Sequence, residues 1–128
     1  MKNILKVNKC LISVSDKTQI VNFAKNLNRE NIQIISTGNT FNKLFEKGLK
    51  VKKVESVTKF PEILGGRVKT LHPKIFGGIL VDPNMSSHKK DMNQYNLSKF
   101  ELVIVNLYPF ESTIEQTKNM NSCIENID

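Results

Sequence analysis

A chain of 128 residues, 39% hydrophobic and 24% charged, is one domain's worth of globular protein, able to bury roughly two-thirds of its unfolded surface without disulfides or metal. No apolar run approaches the ~20 residues of a membrane span, and the opening MKNILKVNKCLISVSDK is too polar for a secretory signal, so a cytoplasmic protein with no membrane partner is expected. The net charge of +7 invites a nucleic-acid reading, but lysine supplies 17 of the 19 basic residues, scattered beside frequent Asn and Ile as an AT-rich genome would place them, with no nucleic-acid module.

In chain order, residues 1–8 read as an N-terminal extension. Cys10 to Val14 (CLISV) is short and β-prone, as a buried strand should be. Ser15 to Thr18 form a turn, and Ile20, Val21, Ala24 and Leu27 follow at helical spacing. Asp16 with Gln19 three residues later reads as a capping box. The pattern then repeats. Ile32 to Ile35 is a second strand, Ser36 to Thr40 (STGNT) a turn, and Phe41, Leu44 and Phe45 a helical stripe that Gly48 stops. Leu49 to Val54 reads as a weaker strand and Ile75 to Val81 as another. A helix is expected from about Ser86 to Tyr95, and Leu102 to Val105 (LVIV) reads as a well-buried strand. Strands alternating with helices imply an α/β domain built on a mainly parallel sheet flanked by helices.

Ligands in such sheets bind beyond the carboxyl ends of the strands, where free N–H groups and helix dipoles favour phosphate. SVSDKT offers hydroxyls and a lysine there, and STGNT offers hydroxyls and a glycine. Either turn alone could be an ordinary helix start; two in succession favour an anion pocket. GGRVKTLHPKIFGG, residues 65–78, adds charge. Gly65 and Gly66 permit tight backbone geometry, and Pro73 stiffens the loop after His72. Arg67 and Lys69, two apart, would share one side of an extended chain and present a planar fork and a point charge to one anion. Cys10 and Cys123 lie far apart and are expected to be reduced thiols. His72 and His88 have no ligand-like spacing, so no metal is expected.

SVSDKT, STGNT, FPEILGGRVKTLHPKIFGGIL and VNLYPFE occur in the order and approximate spacing of one enzyme family. From Lys9 to Asp128 the chain resembles the IMP cyclohydrolase domain of the bifunctional purine-biosynthesis enzymes, which couple AICAR formyltransferase and IMP cyclohydrolase activities. The resemblance implies a methylglyoxal-synthase-like, Rossmann-like, three-layer domain over residues 9–128. It also implies a purine ribonucleotide as substrate and a homodimer in full-length family members. The reaction implied is dehydrative ring closure of 5-formamidoimidazole-4-carboxamide ribotide to inosine monophosphate. No cofactor is needed for that step; 10-formyltetrahydrofolate would serve the formyltransferase domain, which this sequence lacks.

Carried over position by position, Ser15, Asp16 and Lys17 match the family's first nucleotide-binding turn. Thr37, Gly38, Asn39 and Thr40 match the second, with Asn39 where the family usually has glycine; a left-handed backbone there would suit asparagine. Arg67, Lys69 and Thr70 match the binding and catalytic loop, and Asn106 the end of the last strand. The resemblance assigns catalysis to Lys69, Tyr108 and Asp128. A carboxylate such as Asp128 could take the carboxamide proton, while Lys69 and Tyr108 stabilise the oxygen that leaves as water. The sequence stops at Asp128, before a further catalytic lysine of the family, so the domain is expected to be C-terminally incomplete, binding nucleotide with little turnover. An inactive remnant or a nucleotide-binding module is the alternative. A methylglyoxal synthase is more remote, because GGRVKTLHP and NLYPF match the purine enzyme.

Overall fold

A computed structural model describes residues 4–106 and residue 120. Four parallel strands form one sheet: β1 (Lys9–Ser13), β2 (Gln33–Ser36), β3 (Lys52–Lys53) and β4 (Leu102–Val105), in the order β3-β2-β1-β4. β1 is central, with Leu11 opposite Ile35 on one side and Val103 on the other. Its three middle residues, Cys10, Leu11 and Ile12, are all buried because both faces of the sheet are covered, which is why they form an unbroken apolar run.

Alternation along β1 divides the core in two. Cys10, Ile12 and Ile34 pack with Ile20, Ala24 and Leu27 of α1 (Ile20–Arg29) and Leu44 of α2 (Gly38–Glu46). Leu11 and Ile35 pack on the opposite face with Val54 of α3 (Val54–Thr58), Ile75 of α4 (Pro73–Leu80) and Phe100. The result is the expected helix–sheet–helix layering. Ile20, Ala24 and Leu27 are the buried stripe of α1, at the spacing that one helix face demands. The helix α5 (Ser86–Tyr95) falls on the residues expected and buries no side chain.

Several local expectations fail for identifiable reasons. Asp16 and Gln19 form no capping box. Asp16 instead accepts from the amide (2.9 Å) and hydroxyl (2.6 Å) of Thr18, and Gln19 precedes α1 in a left-handed conformation at φ 63°. The strand expected over Ile75 to Val81 is the helix α4. His72 accepts from the amide of Lys74 (3.1 Å) as N-cap, and Pro73 supplies the first helical position, where a missing N–H costs nothing. β3 contracts from Leu49–Val54 to two lysines at the sheet edge, where charge discourages further pairing. β4 has the expected bounds but is less buried than expected: Val103 is 38% exposed and Val105 61% exposed, because this face borders a cavity.

Cys10 is a free thiol, fully buried, and burial pushes its pKa up to about 12. The other cysteine, Cys123, lies outside the described residues. Among the described residues no helix is long and apolar enough to cross a membrane, and no group of His, Cys, Asp and Glu side chains could hold a metal ion. His88, like His72, accepts a backbone amide, that of Asp82 at 3.0 Å.

Candidate functional site

The chain leaves β1 towards β2 on one side, and β4 returns on the other. The carboxyl ends of β1 and β4 therefore flank the switch in strand order, where an open α/β sheet parts into a crevice. Among the described residues, two of the cavities that open there matter for the site. One, about 230 Å³, is walled by apolar side chains of β1, α4 and β4, among them Leu11, Ile75, Ile79, Val103 and Val105, with Lys69, Thr70 and Asn106 at its polar end. The other, about 440 Å³, is polar and lies against the start of α2, lined by Lys17, Thr37 to Thr40, Gly66 and Lys69. Ser13, Val14, Ser15 and Lys69 line both, so the cavities adjoin.

Hydroxyls at the strand ends build this crevice. Ser13 and Thr37 share a hydrogen bond of 3.1 Å between β1 and β2. The buried Ser36 hydroxyl donates to Ile12 O (2.9 Å), and that of Thr40 donates to Val14 O (3.1 Å). Thr37 is the N-cap of α2 yet makes no side-chain capping bond, its hydroxyl being turned to Ser13. The positive end of the α2 dipole thus faces the polar cavity.

Lys17 folds back so that its Nζ donates to Val14 O (2.9 Å) and Ser15 O (3.3 Å) at the end of β1. Burial lowers its pKa, and repulsion from Lys43 and Lys69 lowers it further, against a smaller opposite pull from Asp16. Asp16 itself is held below the usual carboxylate range by its bonds from Thr18. Lys43 and Lys69 thus disfavour the charge on Lys17, a repulsion that an anion bound beside Lys17 would relax.

Ten of the thirteen residues singled out from the sequence are brought to the crevice. Ser15, Lys17, Thr37, Gly38, Asn39, Thr40, Lys69, Thr70 and Asn106 line the two cavities, and Asp16 adjoins them in the Ser15–Thr18 turn. Arg67 lines neither cavity. The stretch is not extended there: Arg67 sits at φ −72°, ψ −23°, closing a 3₁₀ turn over Leu64–Gly66, and does not line the cavities with Lys69. Tyr108 and Asp128 lie outside the described residues. Asn39 is not in a left-handed conformation; the positive φ belongs to Gly38, at 33°, so asparagine fits without strain. Ser13, Lys43 and Glu62 went unnoticed in the sequence. Ser13 stands just before SVSDKT and carried the same hydroxyl signal. Nothing in the pattern of PEILGG shows where the Glu62 carboxylate points.

The residue pattern of the MGS-like domain matches residues 19–128. This chain belongs to the MGS-like domain family. The chain is 53% identical over 120 residues to the bifunctional purine biosynthesis protein PurH of Clostridioides difficile, covering 94% of this chain and 24% of that protein. It is 48% identical over 119 residues to the protein of the same description from Dictyostelium discoideum, covering 92% and 22% respectively. The chain thus spans about a quarter of the length of the curated relatives it matches. A crystal structure of ForH superposes with a TM-score of 0.73 at 33% identity, over 79% of this chain and 51% of that one. The family resemblance and the parallel α/β fold read from the sequence both stand.

Within the MGS-like domain, Asn106 ties the first turn to the end of β4. Its Oδ1 accepts from the amides of Ser15 (2.7 Å) and Asp16 (3.1 Å) and from the Ser15 hydroxyl (3.0 Å), and its Nδ2 donates to Asp16 O (3.0 Å). Asn106→Ala is expected to lower stability by about 1–2 kcal/mol, because water replaces part of what is lost at this exposed site. Asn106→Asp keeps the acceptors but loses the donor and adds charge, so it should weaken anion binding more than stability. Melting curves and phosphate titrations of the two variants check this split.

Proposed function

We propose that this domain binds a purine nucleoside monophosphate and serves the IMP cyclohydrolase step of purine biosynthesis. The observation that carries this reading is the junction of two unlike cavities at Lys69: a cationic one at the start of α2 and an apolar one between α4 and β4. A phosphate suits the first and a flat heterocycle the second. Together the cavities reach the ~300–1,000 Å³ typical of small-molecule sites. The relatives described as bifunctional purine biosynthesis proteins support the choice of nucleotide.

In the proposed reaction the carboxamide nitrogen attacks the formyl carbon and gives up a proton. A C–N bond forms and negative charge gathers on the formyl oxygen, which takes up that proton; a second proton leaves the formamido nitrogen, a ring C=N bond forms, and the C–O bond breaks to release water. Lys69, which lines both cavities, would stabilise that oxygen or protonate it. The proton-accepting role of Asp128 and the hydroxyl of Tyr108 belong to the proposal on the strength of the family resemblance, as does the pairing of two copies in longer relatives. No cofactor enters this step.

Calorimetry with inosine monophosphate and with inosine tests the binding half. The monophosphate should bind at least about tenfold more tightly, since charge-assisted contacts to its phosphate are worth about 1.5–3 kcal/mol. Equal affinities would remove the anion site. The absorbance change on closure of the formamido ribotide tests the catalytic half. If turnover is seen, loss of most of it in Lys69→Ala is expected, and an unaffected rate would exclude Lys69.

A further inference from the structure

We propose that Glu62 is a built-in competitor for the phosphate position, its carboxylate occupying the space beside Gly38 and Gly66 until a ligand phosphate displaces it. This rests on the anion-site reading above. The placement begins with backbone pairing. Ile63 and Val68 form an antiparallel bridge, with Ile63 N donating to Val68 O (3.1 Å) and Val68 N donating to Ile63 O (3.3 Å). Glu62 and Lys69 are the next pair outward, so their side chains leave the hairpin on the face opposite Ile63 and Val68. Both line the polar cavity. One hairpin therefore delivers a carboxylate and an ammonium group to the same site.

The carboxylate fills space that two glycines leave open. A Cβ built on Gly38, the first residue of α2, would lie 3.6 Å from Oε2 and 3.7 Å from Oε1 of Glu62. A Cβ on Gly66 would meet Oε1 at 2.8 Å, closer than real Cβ atoms come. Both glycines have positive φ, 33° and 87°, so neither position suits a larger residue on backbone grounds either. A carboxylate close to the first residue of α2, in the cavity that Lys17 and Lys69 also line, stands where a phosphate would be stabilised. The two anions would repel in that space, so phosphate must move Glu62 aside. The side chain is long and half-exposed, so rotation about its own bonds is enough. A competent state populated only in part reduces apparent affinity by its fraction.

A competitor of this kind differs from a carboxylate that receives ligand hydroxyls. The test is calorimetry of the whole chain with inorganic phosphate and with inosine monophosphate, comparing wild type, Glu62→Gln and Glu62→Asp. Glu62→Gln should tighten both ligands by about tenfold if the occupied state dominates by that ratio. Glu62→Asp, one methylene shorter, should fall between it and wild type. Unchanged or weaker phosphate binding in Glu62→Gln, with an unchanged melting curve, overturns the proposal. So does weaker inosine monophosphate binding at constant phosphate affinity, which would make Glu62 a hydroxyl acceptor. Tighter phosphate binding with no preference for the nucleotide would uphold the competitor and sink only the nucleotide reading.

Discussion

Lys17→Ala is expected to weaken binding of inosine monophosphate by roughly tenfold or more, the equivalent of one charge-assisted contact of about 1.5–3 kcal/mol. The half-buried ammonium is anchored to the carbonyls of Val14 and Ser15, so little ordering remains to be done when an anion arrives. Its pKa is lowered by burial first and by Lys43 and Lys69 next. A bound phosphate reverses the repulsive part, and affinity should therefore fall when the cation is removed. Lys43→Ala removes a charge that lines neither cavity and should cost less. Calorimetry of both variants at one ionic strength checks the ranking, because screening weakens exposed charges most. Equal loss in the two, or none in Lys17→Ala, would detach the site from the SVSDKT turn.

The sequence made the sheet legible where burial on two faces leaves a continuous apolar run. Cys10 to Val14 and Ile32 to Ile35 each lie within about a residue of the observed strands. It also made α5 legible, since Ser86 to Tyr95 lies between the breakers Pro83 and Asn96, the latter left-handed at φ 54°. Ile75 to Val81 misled because its apolar run is equally consistent with a buried strand. Length and cap decide such cases, and the cap here was His72, an uncommon choice whose Nδ1 acceptor is visible only in three dimensions. The candidate site was legible in its residue types, and its turns lie where the topology puts ligands. Its geometry was not. An extended chain would have aligned Arg67 with Lys69, but the left-handed Leu64, Gly65 and Gly66 fold the segment into a hairpin turn. That turn exchanges the expected Arg67–Lys69 pair for Glu62 and Lys69, a change of sign at one position of the pocket.

The glycine pair at the far end of that segment also bears on the site. Gly77 and Gly78 are adjacent in α4, where alanine would ordinarily gain about 0.5–1 kcal/mol of helix stability. At Gly77 a new Cβ would meet Leu97 Cδ1 at 2.9 Å, the end of a side chain that can rotate away. At Gly78 it would meet both the ring of Phe100 and the backbone oxygen of Ser98 at 2.6 Å, and neither can move alone. Phe100 is 3% exposed, and its amide donates to Gly78 O at 2.8 Å, so ring and helix are locked together just before β4. Gly78→Ala must push α4 off the sheet. Overpacking of this kind costs about 1–3 kcal/mol, a fall in Tm of roughly 4–12 °C for a domain of this size. Gly77→Ala should stay close to wild type. Because α4 carries Ile75, Phe76 and Ile79 into the apolar cavity, Gly78→Ala should also loosen inosine monophosphate more than inorganic phosphate. Thermal melts and paired titrations of the two variants read both effects. A Gly78→Ala protein as stable as Gly77→Ala would mean that the helix and the Phe100 segment are not packed as tightly as described.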